Sequence, residues 1–187
     1  LRPSWAAMQA DIPSLSCILI LDSDGQRICC KYYTQDLGTT HAEQLAFEKK
    51  MFDKSSRTNA RSEAEIVLFD NLVAVYKNSA DAWFFIVSRQ NENELILANV
   101  LTALCEALTL SLRQIDKRTM LDNYESLLLT VDELIDGGMI LETDASAISN
   151  RVGMKAANSE PAAPAEGGTF SFAFSSAKES FARSLLR

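Results

Sequence analysis

Histidine and cysteine, the residues that most often carry catalysis or hold metals, are scarce in this 187-residue chain, which has one His and four Cys. His41 falls in the first turn of a predicted helix, where the helix dipole opposes a protonated ring, so a surface role is expected of it. Cys17, Cys29, Cys30 and Cys105 form no CxxC pair. Neighbours in a strand point to opposite faces, so Cys29 and Cys30 cannot grip one metal ion together. All four read as small apolar residues kept reduced in a cytosol. Also missing are a GxSxG elbow, a Walker-type phosphate loop, a GxGxxG turn and an HExxH pair, each the mark of a common enzyme class. No catalytic residue, cofactor or metal is expected. Basic residues are in deficit, 18 Lys and Arg against 25 Asp and Glu for a net charge of -7, which argues against binding a phosphate backbone. Long apolar runs are missing too. Runs such as Cys17 to Leu21 fall far short of the roughly 20 residues needed to cross a bilayer. No basic flank followed by a long apolar region opens the chain, so secretion is not expected.

The 47% hydrophobic content suffices for one domain with a sizeable core. Leu15 to Leu21, the turn Asp22-Ser23-Asp24-Gly25 and Arg27 to Tyr33 predict a β-hairpin. Thr40-His41-Ala42-Glu43 has capping-box spacing and predicts a helix to about Lys54, with Leu45, Glu48 and Phe52 as its stripe and Phe47 and Met51 alongside. Three short runs, Glu65 to Phe69, Leu72 to Tyr76 and Trp83 to Val87, are split by Asp70-Asn71 and Asn78-Ser79 and predict an antiparallel meander. A long helix follows from Asn91. On it Leu97, Leu101, Leu104, Leu108, Leu112 and Ile115 make an unusually wide apolar stripe. Either a second helix covers that stripe, or part of it, or an edge of the sheet, packs on a partner. The second helix carries Leu121, Tyr124, Leu128, Val131 and Ile135, with Gly137-Gly138 as its C-cap, and a shorter one spans about Asp144 to Val152. Pro161, Pro164 and the surrounding alanines and glycines predict a flexible linker over 153–169. In the tail, Phe170, Phe174, Ala177, Phe181 and Leu185 fit one side of a helix, while Phe170, Phe172 and Phe174 equally fit a strand.

The segment from Asp132 to Thr143 is physically odd. Acids in a last helical turn face the negative end of the dipole, at a cost of about 0.3–1 kcal/mol. Asp132 and Asp136 at i,i+4 add roughly 0.2–0.5 kcal/mol of repulsion. Two such carboxylates can serve as acid and base, but a helix end is no cleft. The remaining readings are a solvated helix end, or a basic residue or backbone donor brought by the next loop or by a partner.

Residues Asp132-Glu133-Leu134-Ile135-Asp136-Gly137-Gly138-Met139-Ile140-Leu141-Glu142-Thr143 resemble a segment shared by the small subunits of vesicle coats, the clathrin-adaptor sigma and coatomer zeta chains. Gly25-Gln26-Arg27-Ile28, Lys31-Tyr32-Tyr33 and Glu92-Asn93-Glu94-Leu95-Ile96-Leu97 add to the likeness. It covers about Leu15 to Val152 and leans to the zeta side. The resemblance implies an α+β, longin-like fold, a five-stranded and mainly antiparallel sheet with one helix on one face and two on the other. It implies a non-catalytic subunit of the COPI coatomer, paired directly with the gamma large subunit and associated with the other coatomer subunits. An Arf-family GTPase would act on it indirectly, at the cytosolic face of Golgi membranes. The alternative is a sigma subunit reading acidic dileucine signals. The expected organisation is an extension over 1–14, the domain over 15–152, the linker over 153–169 and an amphipathic aromatic tail over 170–187. Candidate partner-binding residues are Leu97, Leu101, Leu104 and Leu108, the acids Asp132, Glu133, Asp136 and Glu142, and Phe174, Phe181 and Leu185 of the tail.

Overall fold

The computed structural model of the protein describes residues 13–57 and 63–159. Strands β1 (Leu15–Asp22) and β2 (Arg27–Tyr32) form the expected hairpin. Asp22 organises its turn, accepting from the Asp24 and Gln26 amides at 2.9 and 2.7 Å. After a 3-10 turn at Gln35–Leu37 comes α1 (His41–Ser55), opened by the expected capping box of Thr40 and Glu43. The meander is β3 (Glu65–Phe69), β4 (Leu72–Ser79) and β5 (Ala82–Arg89). Then come α2 (Glu94–Leu112), α3 (Lys117–Asp122), α4 (Tyr124–Leu134), the short strands β6 (Ile135–Asp136) and β7 (Met139–Ile140), and α5 (Ala145–Ser159).

The five strands are ordered β2-β1-β5-β4-β3, with every neighbouring pair antiparallel. Side chains alternate across the sheet, so it divides the core in two. On one face Ile18, Ile20, Val73, Val75, Phe84 and Ile86 pack under α2 and α4, with α5 contributing Ala145, Ile148 and Val152. On the other, Leu19, Leu21, Tyr76, Trp83 and Phe85 pack with Phe47 and Met51 of α1. The α+β class and the single helix opposite the two long ones are as expected, with α5 joining the two-helix face. The central strand β5 is covered on both faces, which is why its sequence is an unbroken apolar run rather than an alternating one. Adjacent Cys29 and Cys30 divide between the two faces, as strand geometry requires.

Several expectations are corrected. On α1, Leu45 is 43% exposed, although Glu48 of the same expected stripe is buried. The stripe of the second long helix holds only in part, with Val131 and Ile135 buried as expected and Leu128 packed on the core. Met120, Leu127, Val131 and Leu134 are buried, whereas Leu121 and Tyr124 are exposed. The cause is a break at Asn123 (φ -120, ψ 40), which divides the run into α3 and α4 and resets the helical phase. Asp116 begins the first of these by accepting from the Thr119 amide at 3.0 Å. Gly137 and Gly138 are not a helix C-cap. With φ of +55 and +85 they form the turn between β6 and β7, where two successive positive φ values favour glycine. The last helix runs on through Gly153 to Ser159, past the expected start of the linker.

Candidate functional site

The acidic segment proves to be a corner built from three elements. Helix α4 ends at Leu134, and Ile135 is already extended (φ -139, ψ 129). Asp136 therefore leaves the helix for the hairpin, and the i,i+4 repulsion with Asp132 does not arise. Asp132 forms an ion pair with Lys31 of β2. Arg151 of α5 lies 3.2 Å from Glu133 and 3.1 Å from Glu142. Glu142 also accepts the amides of Thr143 and Asp144, both at 3.0 Å. Those backbone bonds, followed by Arg151, hold its carboxyl below the ordinary range. Compensation for the acids thus comes from the protein's own strand and helix, and Asp136 stays exposed at the hairpin. Carboxylates tied up in this way, with Asp132 and Asp136 in different elements, do not make an acid-base pair.

The hairpin seats on the start of the sheet. The Leu15 amide donates to the Gly138 carbonyl at 2.8 Å, Leu141 donates to Leu134 at 2.9 Å, and Ser14 bridges to Met139. A Cβ on Gly138 would stand 2.8 Å from the Leu15 oxygen and 3.2 Å from Tyr33 Cβ. Close backbone approach, on top of the positive φ, therefore explains that glycine.

Leu97, Leu101, Leu104 and Leu108 are corrected as contact residues. Each is at most 1% exposed, enclosed by the sheet and α4, so none has side-chain surface to offer a partner. Helix α2 is long and apolar enough to cross a bilayer by length and composition, but in this fold it is the core helix. Its exposed apolar residues are Leu95 and Leu110, at 78% and 55%. Phe174, Phe181 and Leu185 lie outside the described residues. Buried thiols have no nucleophilic bent, since burial pushes Cys29 and Cys105 up to about 11.

Residues outside the expected partner-binding set fall at the two edges of the sheet. At β2, Glu48 is buried beneath the strand, with Arg27 Nε at 3.0 Å and the Tyr32 hydroxyl at 2.8 Å. At β3, Ile66 and Leu68 are 54% and 50% exposed. An open groove of about 1080 Å³ runs between the 3-10 turn, α1 and the β3–β4 turn. Leu37, Phe47, Phe69 and Leu72 line it, and an Asp36–Arg89 pair at 2.9 Å sits at its rim. Among the described residues, none of those expected to bind a partner lines it.

A sheet clad by helices, with its polar groups spent on holding elements together, is scaffold geometry. Residues 14–159 match the family described as clathrin adaptor complex small chain. The chain belongs to that family. Relatives of this small chain include coatomer subunit zeta-1 of Arabidopsis thaliana, 45% identical over 176 residues that cover 94% of this chain and 98% of the relative. Coatomer subunit zeta-1 of Homo sapiens is 40% identical over 181 residues, covering 96% and 97%. Among solved structures, a chain of the full-length AP-3 complex, itself a homology model in a stretched open conformation, matches with a TM-score of 0.62. It is 20% identical and covers 78% of this chain and 96% of that one, a likeness of fold. Small chains of this family are subunits of multi-subunit coats, and a coat-subunit role is what this chain shares with them.

Proposed function

We propose that this small chain is the zeta-type subunit of the COPI coatomer, paired with the gamma large subunit. It acts in Golgi vesicle formation and in retrograde Golgi-to-ER and intra-Golgi protein transport. What carries the reading is identity of 40–45% across nearly the whole chain to proteins named coatomer subunit zeta, against 20% to the adaptor-complex chain. The work is mechanical and involves no bond made or broken. A sheet braced on both faces keeps its shape while it holds and orients the large subunit. Recruitment to the cytosolic face of Golgi membranes by an Arf-family GTPase then acts on the assembled coat rather than on this chain. In this reading residues 15–152 are the structural unit, with 1–14 and 153–169 as flanking segments. The tail over 170–187 docks Phe174, Phe181 and Leu185 on the partner or the lipid interface, with Lys178, Arg183 and Arg187 outward.

Capture of the tagged full chain from cytosol, with mass spectrometry of what binds, tests this. Recovery of coatomer gamma and its companion subunits is expected. Recovery of adaptin large chains instead would move the assignment to a sigma subunit.

A further inference from the structure

The two edges of the sheet are finished differently, and the difference points to where a partner adds on. At the β2 edge no strand residue is exposed, and ion pairs flank it on both faces, Arg27–Glu48 on the α1 side and Lys31–Asp132 on the α4 side. Charged side chains and helix cover are the usual protection of an edge strand. The β3 edge has much less. Its sequence is Glu-Ile-Val-Leu-Phe, and Ile66 and Leu68 stand half exposed on the face where α2 packs over β4.

Strand geometry fixes where the backbone points. The two-residue turn Asp70-Asn71 makes Phe69 and Leu72 the closing hydrogen-bonded pair. Alternation along an antiparallel ladder then sends the groups of Phe69, Val67 and Glu65 toward β4, and those of Ile66 and Leu68 outward. A bond from Lys54 Nζ to the Leu68 carbonyl agrees with this, and covers only that last rung. The same two residues thus offer outward backbone groups and exposed apolar side chains, the two components of recognition by strand addition.

We infer that the outer edge of β3 takes an extended segment of the large subunit as a sixth strand, its alternate apolar residues lying over Ile66 and Leu68. The inference rests on the proposed pairing with that subunit. Charge selects the occupant. Glu65 turns to the opposite face, where it accepts from the Tyr76 hydroxyl at 3.2 Å, but Glu63 precedes β3 and Glu94 opens α2, next to Leu95. A segment carrying Lys or Arg beside its apolar residues is complementary to them, whereas a second copy of this chain would bring another -7 of net charge.

The test is co-expression of the full-length chain with the large subunit, followed by capture and melting of each variant. Proline is tolerated on an edge strand where its missing N–H faces outward. Ile66→Pro and Leu68→Lys are therefore expected to melt within about 5 °C of wild type while capture of the large subunit falls at least about tenfold. Leu110→Lys, an exposed change on α2, should capture like wild type. Ile66→Ala separates backbone from side chain, since strand addition requires the proline variant to be the weaker of the two. Wild-type capture with undiminished binding by Ile66→Pro would overturn the inference and leave the pairing standing. Failure of the wild type to capture would overturn both. A dimer of the isolated chain that Ile66→Pro dissolves would assign the edge to a second copy and overturn the choice of occupant.

Discussion

The β2 edge spends its polar residues on the protein's own stability, and the β3 edge spends almost none. Under β2, Glu48 has a side chain only 2% exposed and is held by Arg27 and Tyr32, so α1 is clamped to the strand. Along β3 the side chains are aliphatic or aromatic after Glu65, and half of Ile66 and Leu68 faces water. A finished edge and an unfinished one on one sheet show which side of the domain is complete alone. Substitutions at β2 should therefore register as lost stability, and substitutions at β3 as lost assembly.

The largest effect is expected at Glu48. Glu48→Ala leaves Arg27, itself only 21% exposed, without its carboxylate, and should lower the unfolding free energy by about 3–5 kcal/mol. Urea denaturation measures it; a loss under about 1 kcal/mol would mean that the clamp is ornamental. Gly138→Ala comes next. A positive φ alone costs a residue with a Cβ about 1–2 kcal/mol, and the 2.8 Å approach to the Leu15 oxygen adds to it. Thermal melting should fall by several degrees, whereas Gly137→Ala meets nothing within 4 Å and should show the φ cost alone.

A pH series sharpens the contrast at the β1–β2 turn. Burial pushes the Asp22 carboxyl up, but bonds from Lys117 Nζ at 2.7 Å and from the Gln26 and Asp24 amides outweigh it and hold it below its ordinary value. A carboxyl depressed in the folded state stabilises fully above its unfolded pKa of about 3.9. That contribution disappears as pH falls through the folded value. The stability gap between wild type and Asp22→Asn should be flat near neutrality and close below about pH 4. A gap that instead widened on acidification would contradict the sign. The smallest effect is expected at the open edge, where Ile66→Thr should change the stability of the isolated chain by no more than about 0.5 kcal/mol in the same denaturation assay.

What could be read from the sequence was whatever is local. The hairpin with its Asp22–Gly25 turn, the Thr40–Glu43 capping box and the meander all depend on residues a few positions apart, and all form as their patterns require. The start of the second stripe was misread because the helix breaks at Asn123: Leu121 and Tyr124 beside the break are exposed, while Val131 and Ile135 beyond it are buried as expected. The glycine pair was misread because a helix C-cap and a hairpin turn call for the same positive φ. The acids of the corner were visible in sequence, but Lys31 lies 101 residues from Asp132, and no local pattern encodes such a pair. Burial of Leu97, Leu101, Leu104 and Leu108 depends on which neighbour covers the stripe, which periodicity does not tell. Likewise Ile66 and Leu68 have the composition of a core strand and became exposed only because topology put β3 at an edge.

Amide hydrogen exchange of the chain alone and in complex with the coatomer gamma subunit tests the central claim most directly. The account predicts a stable complex in which the outward amides of Ile66 and Leu68 exchange at least about tenfold more slowly than in the free chain, while those of β2 are unchanged. A complex that protects β2 or α4 and leaves β3 as it was, or no complex at all, would contradict it.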